Sequence, residues 1–124
     1  MSSRSSRYAV GIDLGTTNIA VAYRELSTEA GIQAFGIDQL ISHGQVTPRP
    51  ILPAALYLPA LEEILDSDTC LPWANPQGDA NPILGEFALE LGAKTPNRLV
   101  HSAKSWLCHN NVDRYDPILP WLAP

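Results

Sequence analysis

The chain has 124 residues, with thirteen Asp and Glu against eight Lys and Arg and a net charge of −5. This length predicts one small domain. Seven acidic residues and no Lys or Arg lie between Arg49 and Lys94. The sequence therefore lacks the clustered basic face that nucleic-acid binding requires and that an anionic membrane surface attracts.

Residues 1–7 are rich in serine and contain no hydrophobic segment of the kind that a secretory signal needs. We expect them to form a flexible arm on a cytoplasmic protein. No apolar run in the sequence approaches the roughly eighteen residues of a membrane-spanning helix. Cys70 and Cys108 should then stay reduced, and they show no metal-ligand spacing with the three histidines.

The first predicted element is a β-hairpin. Residues 8–10 and 20–23 are apolar and β-prone, and they flank residues 11–19, which are rich in Asp, Gly and Thr. Two such runs around a short turn are typical of a hairpin. A strand follows the glycine and no Gly-Lys-Ser/Thr is present, so the turn is neither a Rossmann fingerprint nor a Walker A loop.

The hairpin turn has groups that suit the β- and γ-phosphates of a nucleotide. Gly15 lacks a Cβ, so a phosphate can approach the backbone closely. Thr16, Thr17 and Asn18 offer successive N–H groups for an anion-binding nest, with hydroxyl donors beside it. Asp13 places a carboxylate where a hydrated Mg²⁺ would sit, because Mg²⁺ keeps several waters and takes few protein carboxylates. The alternative is a plain turn in which Gly and Thr serve only the backbone.

Short strands and loops are predicted next. Residues 32–37 are predicted to form a third strand beside the hairpin. Residues 43–50 are predicted to be a Gly/Pro-rich connection, and residues 51–58 a fourth strand. Pro53 weakens the fourth strand. Residues 59–82 contain many prolines, asparagines and acids, which predicts a loop-rich insertion with one short helical turn around residues 61–65.

A helix is predicted over residues 86–94. Phe87 and Leu91 lie on one of its faces, and Glu90 and Lys94 are spaced to pair on another. Thr95-Pro96 ends the helix, because the residue before a proline avoids the α region.

A second helix is predicted after Asn97, which is a good N-cap. Its apolar side chains repeat at spacings of three and four, at Leu99, Val100, Ala103, Trp106 and Leu107. Lys104 lies on this helix between the small polar residues Ser102 and Ser105, where a ligand can approach. An ammonium near a γ-phosphate stabilises the charge in phosphoryl transfer. The alternative is a solvated surface lysine, which is the usual fate of this residue.

Residues 10–18 resemble the first phosphate motif of the Hsp70 chaperones, of which the sugar kinases and actin carry a looser version. Further segments follow in Hsp70 order: residues 52–57, 84–88, 95–97 and 102–107. The sequence departs from the family pattern in several places. Ile51-Leu52 stand where the family has Thr-Thr, and the insertion at residues 59–82 lengthens the gap between the hairpin and Lys104. Ala54 stands where the family has a serine, and residues 105–108 replace Arg-Leu-Ile-Gly after the lysine. The chain is thus similar to a divergent, DnaK-like member.

This resemblance implies an α/β fold with a ribonuclease H-like (actin-like ATPase) start and a mixed β-sheet. Residues 8–124 would be the amino-terminal portion of a nucleotide-binding domain that is cut off in the apolar tail, residues 117–124. The parent protein would be a chaperone ATPase with ATP or ADP and Mg²⁺ as its cofactors. Client peptides and co-chaperones would be its partners, without nucleic acid or membrane.

The resemblance also implies a role for each site residue. Lys104 falls on the catalytic lysine of the family, Asp13 holds Mg²⁺ through water, and Thr16 contacts the γ-phosphate. These three residues form the expected catalytic set. The expected cofactor-binding residues are Gly15, Thr16, Thr17 and Asn18.

Two other classes of function remain open. One is a sugar-kinase-like phosphotransferase, which would need a carboxylate base and a sugar pocket. The other is a catalytically inactive interaction module that kept the hairpin for folding. On its own the chain should be inactive, because half a cleft does not exclude water. It should also self-associate, because its hairpin strands are apolar at nearly every position.

Overall fold

The computed structural model describes residues 5–73 and 82–120. Within these residues the chain forms nine β-strands, one α-helix and three short 3₁₀ helices. The strands are β1 (Tyr8–Leu14), β2 (Asn18–Glu25), β3 (Gln33–Ala34), β4 (Ile37–Ser42), β5 (Gln45–Arg49), β6 (Ile51–Pro53), β7 (Ala55–Tyr57), β8 (Ile83–Leu84) and β9 (Leu99–His101). The helix α1 is Glu86–Lys94, and the 3₁₀ helices are Asp66–Asp68, Pro96–Arg98 and Ala103–Cys108.

The predicted hairpin is formed by β1 and β2. Its register runs from Tyr8 opposite Glu25 to Leu14 opposite Ile19. The other edge of β2 pairs with β3 and with β6, so four strands make one sheet with β1 at its edge. The strand expected over residues 32–37 is confirmed beside the hairpin, but it is shorter than predicted and consists only of β3. Ile37 belongs to the next strand, β4.

Residues 43–50 are not the connection that the sequence predicts. Gly44, with a φ of 66°, makes a tight turn, and residues 45–49 return as β5 against β4. These two strands form a sheet of their own, so each is an edge strand, and an edge strand tolerates Pro48. The prediction is wrong because Pro and Gly act as loop signals in a sequence even where an edge strand accommodates them.

The strand predicted over residues 51–58 divides at Ala54 between two sheets. β6 pairs with β2, whereas β7 lies between β8 and β9 in a three-stranded sheet. The Ala54 N–H donates to the carbonyl oxygen of Thr17 at 2.8 Å. The chain therefore passes from the hairpin sheet to the three-stranded sheet directly beside the hairpin turn.

The helix α1 has the predicted bounds and ends before Pro96. Glu90 and Lys94 form an ion pair at 3.4 Å on its outer face. Its inner face contributes to a core made of Leu40, Ala55, Tyr57, Ile83, Phe87, Ala88 and Leu91. The core therefore lies between α1 and the strands β4, β7 and β8, and not beneath the hairpin.

The second predicted helix is wrong over its first half. Leu99–His101 pair with β7 as β9, because a strand edge in the folded chain overrides a local helical periodicity. Ser102 then takes a left-handed conformation, with φ 52° and ψ 30°, and leads into the 3₁₀ helix Ala103–Cys108 that carries Lys104.

The described residues form a small α/β domain in which every strand pairing is antiparallel. A parallel pairing, which the predicted mixed sheet would contain, is not among them. In the predicted insertion, a turn over residues 61–63 and the 3₁₀ helix Asp66–Asp68 stand where the short helical turn was expected. Parts of the predicted arm, insertion and tail, residues 1–4, 74–81 and 121–124, lie outside the described residues.

Gln39 joins the hairpin sheet to the helix. Its side chain is only 2% exposed. Its Nε2 donates to the carbonyl oxygen of Ile51 at 2.9 Å, and its Oε1 accepts from the Glu86 N–H at 3.0 Å. A helix leaves its first N–H groups without internal partners, so Gln39 caps α1 from a distant strand. Gly85, with a φ of 79°, makes room for this contact, because a Cβ there would clash with the Gln39 side chain.

We expect the Gln39→Leu substitution to lower the free energy of unfolding by about 1–3 kcal/mol, because it leaves the partly buried Ile51 carbonyl and Glu86 N–H without their partner. Urea denaturation followed by circular dichroism measures the loss. Gln45→Leu on β5, an exposed position, is the matched control and should change stability by less than about 0.5 kcal/mol. Equal effects of the two substitutions would contradict the bridging role.

Glu63 titrates in an environment that favours its charged form. It accepts hydrogen bonds from the Ala60 N–H at 2.6 Å and from the Tyr57 hydroxyl at 2.7 Å. Desolvation raises the pKa of Glu63, but these bonds and the positive charge of Arg98 outweigh it and hold the pKa below its ordinary value of 4.5. Burial, followed by the bond to Glu63, raises the pKa of Tyr57.

Because the folded-state pKa of Glu63 is lowered, its stabilising effect is present above the unfolded-state pKa and is lost as the pH falls through the folded-state pKa. Glu63 is exposed, so solvent screens its interactions. Glu63→Gln should therefore lower stability by only about 0.5 kcal/mol at pH 7, and the deficit should shrink as the pH falls below about 4. Denaturation series between pH 7 and pH 3 test this, with Glu62→Gln as control. A deficit that stays constant with pH would rule out the titration.

Candidate functional site

The hairpin turn between β1 and β2 is exposed and shaped by its glycine. A Cβ built on Gly15 would clash with the carbonyl oxygen of Asn18, so the turn in this form requires glycine. Asn18 Nδ2 donates to the Thr17 hydroxyl oxygen at 3.2 Å. Thr16 and Asp13 are exposed beside them. The turn therefore presents hydroxyl and amide groups and one carboxylate to solvent.

Lys104 lies against this turn. Its Nζ donates to the carbonyl oxygen of Leu14 at 2.5 Å, across a sequence separation of 90 residues. β9 pairs with β7, Ser102 adopts a left-handed conformation after β9, and the 3₁₀ helix that carries Lys104 begins at Ala103. The ammonium group thus lies next to the residue that precedes Gly15.

A cleft of about 230 Å³ separates the turn from the start of the 3₁₀ helix. Thr17 and Asn18 form one wall, and His101 and Ser102 form the other. Residues 53–55 and Leu89 of α1 complete the lining. The hairpin turn thus lines one side of the cleft, and two polar side chains line the other.

His101 and Ser102 are site residues that the sequence interpretation did not select. Their side chains approach each other, with 3.5 Å between Nδ1 and Oγ. Adjacent residues on a helix do not face each other, and a helix was expected here. The β-branched Val100 beside Leu99 was the signal for a strand. The left-handed conformation of Ser102 interrupts the alternation of side chains along that strand, and both His101 and Ser102 line the cleft.

The expected residues lie together at one end of the hairpin. Asp13 is the second-last residue of β1, next to Leu14, whose carbonyl Lys104 contacts, and residues 15–18 follow directly. The donor set is one carboxylate, two hydroxyls, one side-chain amide and one ammonium. It fits an anionic ligand that carries a largely hydrated cation, because Mg²⁺ needs only one or two protein carboxylates beside substrate phosphates. No group of three or more His, Cys, Asp or Glu side chains in the described part of the chain is placed to hold a metal ion by itself.

No family model, curated protein or solved structure matches this chain. Across residues 5–73 and 82–120, no helix is long and apolar enough to cross a membrane. The geometry of the hairpin turn and of Lys104 is therefore the main support for a function.

Proposed function

We propose that the chain is the amino-terminal part of an Hsp70-like, ATP-dependent molecular chaperone of the cytoplasm, with a ribonuclease H-like, actin-like ATPase fold. It contributes the first phosphate-binding hairpin and the catalytic lysine. The observation that carries this proposal is the contact between Lys104 Nζ and the Leu14 carbonyl oxygen. Lys104 is exposed, yet its ammonium donates to the Gly/Thr-rich turn across a sequence separation of 90 residues.

In this proposal the turn binds the phosphates of ATP or ADP. The backbone N–H groups of residues 15–18 and the hydroxyls of Thr16 and Thr17 donate to phosphate oxygens. An ammonium has three N–H donors, so the bond to Leu14 leaves two donors of Lys104 for the γ-phosphate. This cation stabilises the charge that develops in phosphoryl transfer.

Asp13 would hold Mg²⁺ through water. When bound, Mg²⁺ would neutralise part of the negative charge of the phosphates. The carboxylate is exposed at the end of β1, which leaves room for the water shell that Mg²⁺ retains. In the parent protein, ATP turnover would drive the binding and release of client peptides, with co-chaperones as further partners.

The lining of the cleft favours hydrolysis over sugar phosphorylation. A sugar kinase needs a carboxylate to accept the proton of the sugar hydroxyl, and general bases work within hydrogen-bond reach. Among the described residues that line the cleft, none is Asp or Glu. A catalytically inactive module is the remaining alternative, and turnover measurements distinguish it.

We expect Asp13→Ala and Lys104→Ala each to reduce ATP hydrolysis by the full-length protein about 10²–10³-fold, the usual effect of removing a charge-stabilising group. Single-turnover hydrolysis measures the chemical step. The chain has only two lysines, so Lys94→Ala is the matched control and should leave the rate unchanged. Normal turnover by the Lys104 variant would refute its assigned role, and no turnover by the wild-type protein would favour the inactive module.

The 124-residue chain alone should bind Mg-ATP with a dissociation constant no better than about 1 mM, equivalent to about −4 kcal/mol. A hairpin and one lysine hold phosphates, but an open surface does not exclude water from them. Titration calorimetry tests this expectation. A micromolar dissociation constant would mean that the site is complete within this chain.

A further inference from the structure

The strand β1 is exposed along its whole length although it is apolar. Val10, Ile12 and Leu14 are 61%, 63% and 61% exposed, and every other residue of the strand is exposed as well. The core lies elsewhere, between α1 and the strands β4, β7 and β8. A long apolar strand at the edge of a sheet is a template for pairing with another chain.

The backbone groups on the free edge of β1 follow from the register. The Leu26 N–H donates to the Arg7 carbonyl oxygen, so Arg7 and Leu26 form a hydrogen-bonded pair. Antiparallel pairs alternate between bonded and non-bonded types. The odd-numbered residues of β1 therefore bond to β2, whereas Tyr8, Val10, Ile12 and Leu14 direct their N–H and C=O groups outward.

One end of this edge is already occupied. The Leu14 carbonyl oxygen accepts the hydrogen bond from Lys104 Nζ, which agrees with its outward direction. The groups that remain for an incoming strand are those of Tyr8, Val10 and Ile12. A strand with the same number of outward groups and the same spacing is β1 itself.

We propose that β1 pairs antiparallel with β1 of a second copy of this chain, about a two-fold axis at Val10. Val10 then lies opposite its own counterpart, and Tyr8 lies opposite Ile12 of the second copy. Pairs of β-branched residues and of an aromatic with a β-branched residue are favourable across strands. The two hairpin sheets join into one continuous sheet.

Charge complementarity selects this register. With the axis at Val10, Arg7 of each copy lies opposite Asp13 of the other, in a non-bonded pair where side chains approach most closely. Opposite charges in such positions stabilise pairing. Glu25 accepts from Nε of Arg7, and a guanidinium has four further N–H donors, so Arg7 can serve both carboxylates.

Neighbouring registers lose these contacts. An axis at Gly11 places Asp13 opposite Ala9 and requires the Leu14 carbonyl that Lys104 occupies. An axis at Ala9 places Asp13 opposite Ser5 and Arg7 opposite Gly11. A shift that sets odd residues opposite even ones puts outward backbone groups against inward ones.

Cysteine cross-linking tests the axis. In a Cys70→Ser/Cys108→Ser background, the Val10→Cys variant should form a covalent dimer on mild oxidation. Its two Cα atoms lie about 5.5 Å apart in a bonded pair, which is within the range of a disulfide. The Ile12→Cys variant is the control, because its two cysteines would lie four residues out of register, about 14 Å apart. Equal cross-linking of both variants would indicate packing through the sheet faces and would overturn the proposal.

Charge reversal tests the register independently of any loss of folding. Arg7→Asp and Asp13→Arg should each raise the dimer dissociation constant about tenfold, as measured by light scattering on a size-exclusion column. The double variant restores opposite charges and should recover most of the wild-type affinity. A double variant that is folded by circular dichroism but no tighter than the single variants would overturn the register, and a wild-type chain that stays monomeric up to about 1 mM would overturn the dimer.

This proposal does not rest on the proposed function. The charge-reversed double variant has no carboxylate at position 13, so it lacks the proposed Mg²⁺ ligand in any case. If this variant dimerises again, the pairing of β1 edges is supported, whether or not the variant binds a nucleotide. Asp13→Ala removes both the proposed Mg²⁺ ligand and the partner of Arg7, so the nucleotide site is judged on Lys104→Ala, a residue outside the paired strand.

Discussion

The buried amide of Gln39 is the contact on which the arrangement of this chain depends. It binds a carbonyl of β6 with one end and the first N–H of α1 with the other. Through β6 it holds β2 and thus the hairpin. Through α1 it holds Leu89, which lines the cleft. Two bonds from one side chain therefore fix the position of the hairpin sheet relative to α1, whose Leu89 lines the cleft beside the hairpin turn.

Local sequence patterns predicted correctly those elements that are determined by residues close together in the chain. The hairpin and the bounds of α1 were predicted, because turn composition and the Thr95-Pro96 stop act within a few residues. Residues 51–58 were predicted as one strand but divide into β6 and β7, and residues 99–101 were wrongly predicted as helix, because the pairing of both segments depends on distant partners. β7 takes β8 and β9 as neighbours, and no pattern within either segment specifies that pairing.

The residues of the candidate site also differ in whether local sequence was enough to predict them. The turn residues Gly15 to Asn18 were predictable, since their spacing alone suits an anion. The position of Lys104 against Leu14 was expected only from the resemblance to a family, because no local rule relates residues 90 positions apart. His101 was missed, since the strand that orients it forms only in the folded chain.

The separation between Lys104 and Leu14 also has a kinetic consequence. A hairpin closes within about 1–10 μs, so the turn between β1 and β2 can form while the rest of the chain is still unfolded. The contact with Lys104 closes a loop of 90 residues, whose entropic cost must be met by β7, β9 and α1 first. The hairpin turn is thus an early product of folding and its contact with Lys104 a late one, so an incompletely folded chain displays the turn without the ammonium beside it.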